Sequence, residues 1–283
     1  IPTVYLKLPV AGKVMAVKQT SAFSLIGSSG GGNTVRASAH YSVTGLDKKF
    51  AQHLAQKVQD DLVAKLRAAG YTVKTYADIK DLDAVKSIKR DTADETWGLP
   101  LEKNQMGNDV SLIATPSDEQ NFKPGMGGAV IAPFQHFGKS AIGEGSGTLL
   151  IPVLTFNAPQ AWGKTDSGYS SISAEVNVAP GMNMQSAVAS LLTAGGAWGG
   201  VTTKGPSPSI STKVGELTKT DATDKAGNAF SKSLSMLTGS GSITGSKGIY
   251  VMAINQADYE AGLMNGAGAF NTEIANAAKE VHK

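Results

Sequence analysis

The residues able to do chemistry are few and widely separated. The four histidines are His40, His53, His136 and His282, and no two stand at a helical or strand spacing that would hold a metal. Cys is absent, which excludes disulfides, thiol nucleophiles and thiolate metal sites. His136, in Pro133-Phe134-Gln135-His136-Phe137-Gly138, is the one histidine in an unusual setting, and a hydrolase would have to be centred there. No Gly-x-Ser-x-Gly segment stands between a strand and a helix as a nucleophile elbow does, so His136 reads as part of an aromatic loop. The run Ser28-Ser29-Gly30-Gly31-Gly32-Asn33 is followed by a strand pattern, not by the helix N-terminus that would hold a phosphate. Gly138-Lys139-Ser140 has the end of a P-loop, but the required earlier Gly is Pro133, which offers no N–H. Asp60 and Asp61 are adjacent on a helix, diverge, and read as solvated charges. The sequence points to no catalytic residue, cofactor or metal.

The elements that would have to position such groups are clearer. Among 283 residues, 41% are hydrophobic, enough for a chain that buries roughly 75% of its unfolded surface. The formal net charge is +3 with no basic cluster, and aromatics are 6%, which argues against nucleic acid. Charge concentrates in residues 46–97. There Leu46, Phe50, Leu54, Val58, Leu62 and Leu66 recur every four residues, the stripe of an amphipathic helix over 46–69. Thr44 and Gly45 lie at its start, and Gly70 is placed to cap its end. The β-branched run 71–76 follows as an expected strand, with a short helix over 81–90. Further strands are expected at 35–43, 110–115, 129–133, 148–156, 171–178 and 249–254, with an edge or bulge at Pro152. The expected helices near the C-terminus cover 224–237 and 256–281, the latter broken near Gly262, Gly266 and Gly268.

From Val176 to Thr203 no residue carries a charge. Met184, Ala187, Val188, Leu191 and Leu192 fit a helical face, and the same stretch fits the alternation of a barrel-type hairpin. Pro180-Gly181 interrupts the strand pattern, which favours a short helix. An apolar patch of Met182, Met184, Leu191, Leu192 and Trp198 is expected to lie against a neighbouring subunit or a membrane surface.

The composition, rich in Gly, Ala, Ser and Thr, leans towards an exported protein. No signal peptide opens the chain, because Ile1-Pro2-Thr3-Val4-Tyr5 already reads as a strand. Phe50-Ala51-Gln52-His53-Leu54, then Leu62-Val63-Ala64-Lys65-Leu66-Arg67-Ala68-Ala69-Gly70-Tyr71-Thr72-Val73 and Asp81-Leu82-Asp83-Ala84-Val85, resemble the opening of CsgG-like envelope lipoproteins. The same run is similar to the N-terminal domain of TolB. Gly147-Thr148-Leu149-Leu150-Ile151-Pro152-Val153 and Ser171-Ile172-Ser173-Ala174-Glu175-Val176 look like the later strands of that fold. The Gly-rich insert around 181–205 departs from the pattern, and the chain has no lipobox Cys. The resemblance implies a single α/β sandwich over 1–283, a mixed sheet with helices packed on it. It further implies a homo-oligomer or a partner of envelope proteins at the periplasm or outer membrane, with possible membrane association, that assists assembly or secretion without an active site.

Overall fold

The computed structural model describes residues 1–19, 34–103, 109–123, 147–167, 172–193, 198–203, 212–220 and 248–281. The strand expected at 129–133, the helix at 224–237, the Gly-rich run 28–33, the segment 138–140, His136 and His282 lie outside them. The fold class is as expected, a mixed sheet with helices packed on it.

The ten-stranded sheet is built on β1 (Tyr5–Gln19) and β2 (Thr34–Thr44), an antiparallel pair. β12 (Ile249–Ile254) lies parallel to β2, and β11 (Gly215–Thr220) closes that side. β5 (Thr148–Asn157) runs parallel to the start of β1, followed by β8 (Gly181–Thr193), which also pairs β9 (Trp198–Thr202) and β10 (Thr212–Lys213). β4 (Asp109–Ala114) pairs β1 and carries β3 (Leu101–Lys103). The hairpin of β6 (Gln160–Ser167) and β7 (Ile172–Ala179) forms a separate two-stranded sheet.

β2 and β12 are parallel neighbours, and each leads at once into a helix, α1 (Lys48–Ala68) and α4 (Gln256–Val281). Both helices start at a side-chain cap next to the strand end. Asp47 accepts from the Phe50 N–H at 2.8 Å, and Asn255 accepts from the Ala257 N–H at 3.0 Å. Two parallel strands feeding two helices make the helices parallel as well. α1 ends as its Gly70 requires: φ is +93°, and the Gly70 and Tyr71 N–H groups donate to Arg67 and Leu66 carbonyls. The every-fourth stripe Phe50, Leu54, Val58, Leu62 and Leu66 is buried as read from its spacing.

Four expectations fail for identifiable reasons. Residues 71–75 form no strand. Tyr71 and Val73 pack on the helix core, the Tyr71 hydroxyl donates to the Ala278 carbonyl, and Thr75 caps a turn, α2 (Tyr76–Ile79). Only Asp83–Lys86, α3, is helical in the next segment, because Val85 and Ile88 turn inward against Tyr5 and Phe122. Residues 181–193 are a sheet strand and not the expected helix. β8 pairs β5 from Asn157↔Asn183 to Thr148↔Thr193, and Pro180 falls in the turn before it. β5 is itself an apolar strand whose backbone needs a partner, so pairing outweighs a helical fit of equal quality. Finally α4 is unbroken. A Cβ at Gly262 would meet Val214 at 3.1 Å, and one at Gly266 would meet Met184 at 3.3 Å. These glycines let the helix approach the sheet closely.

Pro152 sits just before the β1–β5 ladder begins at Val153, while the bulge lies between Thr155 and Phe156. Met182 and Met184 are consequently sealed beneath α4, 1% and 4% exposed, and are unavailable to a neighbour. Leu191 packs against the helix core and Leu192 against the cluster around Tyr5 and Ile151. Trp198 pairs with Leu192 in register.

Two stability predictions follow from this packing. Leu62→Ala should lower unfolding free energy by about 2–5 kcal/mol, as large-to-small core changes do. Gly266→Val should cost about 1–3 kcal/mol by overpacking Met184 and Phe156. Urea titrations followed by circular dichroism check both, and wild-type midpoints would show that the α4–β8 contact is looser than drawn.

Candidate functional site

The described residues offer two places where a partner or ligand has something to meet. The first is a pair of β-ribbons. β4 leaves β1 after Gly12↔Asp109, and β12 joins β2 only from His40 onward, whereas β1 and β2 stay paired out to Gln19↔Thr34. The outer part of this ribbon therefore runs past the helix-covered sheet. The β6–β7 hairpin packs on it, β6 over β1 and β7 over β2. The contact is lined by small residues: Ala16, Ala37 and Ala174 are buried together, and a Cβ on Gly163 would come within 3.0 Å of the Ala16 Cβ. Only Gly and Ala allow two ribbons to approach that closely. The large exposed hydrophobics of the described residues all lie on these ribbons: Met15 at 52%, Val17 at 46% and Trp162 at 48% exposure.

The ribbon is rooted in polar groups. Gly12 has no side chain, so the Tyr41 ring crosses it and the hydroxyl reaches Asp109 Oδ1 at 3.2 Å. Burial, reinforced by the Asp109 charge, pushes the Tyr41 hydroxyl pKa upward. His40 precedes it in the strand and is 2% exposed, with Nδ1 lacking a hydrogen-bond partner. Burial, helped by the charge of Lys13 opposite it in register, lowers its pKa to about 4.

The second place is an open groove of about 640 Å3 bordered by Tyr76, Lys80, Lys86, Arg90 and Glu119. One of its cations, Arg90, is committed to the fold. The Arg90 guanidinium stacks 4.3 Å above Phe122 and donates to the Ile88 and Glu119 carbonyls and, at 3.3 Å, to the Tyr76 hydroxyl. Asp118 on its border is likewise held by Lys48 at 2.6 Å and Gln52 at 2.8 Å.

The acidic pair on α1 has more structure than expected. Asp60 accepts from Gln56, but Asp61 accepts from Lys65 and from Asn271 Nδ2 at 2.9 Å, and Lys65 also reaches the Gly268 carbonyl. Asp61 is thus part of a polar seam joining α1 to α4. One turn earlier Glu260 accepts from Lys57 and pairs with His53 at 3.3 Å, and the Lys57 hydrogen bond holds its carboxyl below the ordinary range. Among the described residues no three His, Asp or Glu side chains converge as metal ligands do.

Of the five residues expected to form an interface, Met182 and Met184 are buried, and Leu191 and Leu192 are half-buried against the two cores. The exposed apolar residues Met15, Val17 and Trp162 were missed, although Val14-Met15-Ala16-Val17 is a short apolar run between Lys13 and Lys18, and lysines are common on edge strands. No protein-family model matches the chain, and neither a curated protein nor a solved structure is significantly similar to it.

A pH dependence follows from His40. Its folded pKa of about 4 lies below the ordinary 6.5, so the unfolded chain takes up a proton first as pH falls. Stability should be intact above pH 6.5 and lost progressively down to about pH 4, by up to ~3 kcal/mol. Urea midpoints between pH 7 and pH 4.5 should fall more steeply in wild type than in His40→Gln. Parallel curves would mean that His40 is solvated.

Proposed function

We propose that this protein is a non-enzymatic subunit of an oligomeric assembly of the bacterial envelope, exported to the periplasm or outer membrane, with a structural, secretion or assembly role. The observation that carries the oligomeric part is the outer ribbon of β1 and β2. It extends beyond the sheet's own helices and bears Met15 and Val17 in water. Backbone edges and apolar side chains exposed together are what strand-pairing partners cover. The envelope location rests on the composition and on the resemblance to CsgG-like lipoproteins and the TolB N-terminal domain. Among the described residues no helix is long and apolar enough to cross a membrane.

A second reading, a small-ligand-binding module, is favoured by the groove beside Arg90. Lys80, Lys86 and Glu119 all line that groove, so groups of both charges are present for a small zwitterion.

Native mass spectrometry of the full chain at micromolar concentration separates the readings. The expected result is a multiple of the 29.2 kDa chain mass. A strict monomer, stabilised thermally by free amino acids and not by its own concentration, would transfer the function to the groove.

A further inference from the structure

The edge of β1 changes character at Gly12. Before it the strand is paired by β4. After it, among the described residues, β2 alone pairs the strand, and no described strand lies against the outer edge of residues 13–19. Met15 and Val17 stand two positions apart on this edge and therefore share a face. The opposite face, with Ala16, is already closed by Gly163 of the β6–β7 hairpin. Lys13 and Lys18 flank the apolar pair, whose matching selects one register for a second copy.

Set an antiparallel copy against this edge with Ala16 opposite Ala16 on a two-fold axis. Met15 then falls opposite the second copy's Val17, and Val17 opposite its Met15. Lys13 falls opposite position 19 and Lys18 opposite position 14, neither of them charged. A slip of two residues, the smallest that keeps the same face, puts Lys13 opposite Val17 in one direction and Met15 opposite Gln19 in the other. Either slip gives up both Met15–Val17 contacts, and directly opposed apolar pairs strengthen a strand pair. A symmetric pairing buries one strip on both subunits, so a single surface suffices for closure.

We infer that the protein forms a two-fold dimer by antiparallel pairing of the β1 edge, residues 13–19, with the same edge of a second copy, centred on Ala16. This inference deepens the assembly-subunit reading and rests on it. The dimer would join the two sheets through β1 and bring each exposed Met15 side chain against the second copy's Val17. It also pairs the outward N–H and C=O groups of residues 13–19, which no strand among the described residues pairs.

The absence of Cys makes a clean test possible. Facing Cα atoms in an antiparallel pair are about 4.5–5.5 Å apart, within the range a disulfide spans. The Met15→Cys/Val17→Cys double variant should therefore cross-link to a dimer under mild oxidation, and either single variant should do so about tenfold more slowly or less. Val17→Lys, at an exposed position, should leave the thermal transition unchanged and raise the dimer Kd about tenfold or more. If native mass shows an oligomer but the double variant cross-links no faster than the singles, the β1 edge is not the interface. The subunit reading then survives without this inference. A wild-type monomer overturns both. A monomer that floats with phosphatidylglycerol and phosphatidylcholine vesicles, and loses flotation in Val17→Asp, overturns the dimer and assigns the edge to a lipid surface.

Discussion

The parallel ladder between β2 and β12 organises this molecule. The two strands are separated by about two hundred residues of chain, yet His40 to Thr44 lie in register with Ile249 to Ala253. Each strand ends at an Asx-capped helix start, so pairing the strands also aligns α1 with α4. Everything packed on that face follows from the alignment. Phe50 meets Tyr259 edge-on at 6.2 Å, Asp61 and Lys65 meet Asn271 and Gly268, and Tyr71 reaches Ala278. The order of these contacts along both helices is that of parallel neighbours. Parallel pairing of distant segments must wait for long loop closures, so this ladder is also the costliest contact to form in entropy.

With the helices placed, the glycines of α4 acquire their meaning. Each Gly weakens a helix by about 1 kcal/mol relative to Ala, which taken alone argues for a break. Gly262 and Gly266 are one turn apart and face Val214, Met182 and Met184 of the sheet. The close approach they permit buries both methionines completely, and each large apolar side chain so covered contributes roughly 1.5–3 kcal/mol. The packing gain exceeds the propensity loss, and the helix continues.

The two helices cover only part of β1 and β2. The strands run on as a ribbon whose one face is closed by the β6–β7 hairpin through Ala16, Ala37, Ala174 and Gly163. Small residues make a thin layer there, with little area removed from water per residue, so this region draws its order from close backbone contact more than from side-chain burial. The opposite face keeps Met15 and Val17 exposed. The asymmetry between a closed and an open face is what distinguishes the ribbon from an ordinary solvated hairpin.

The local patterns in the sequence determined what depends on one segment alone. The helix over 46–69 is legible because a four-residue apolar period and a terminal Gly are enough to state its buried face and its end. The strands at 110–115, 148–156 and 249–254 are legible because β-branched and apolar runs of that length fit little else. Where two periods fit equally, only tertiary structure could choose. Residues 181–193 became a strand because β5 offered an unpaired backbone, and residues 71–75 did not because they lie across the ends of α1 and α4. The status of Met182, Met184, Met15 and Val17 was decided in the same way. Burial is a property of what another segment covers, and no residue's own neighbours in sequence state which segment will arrive.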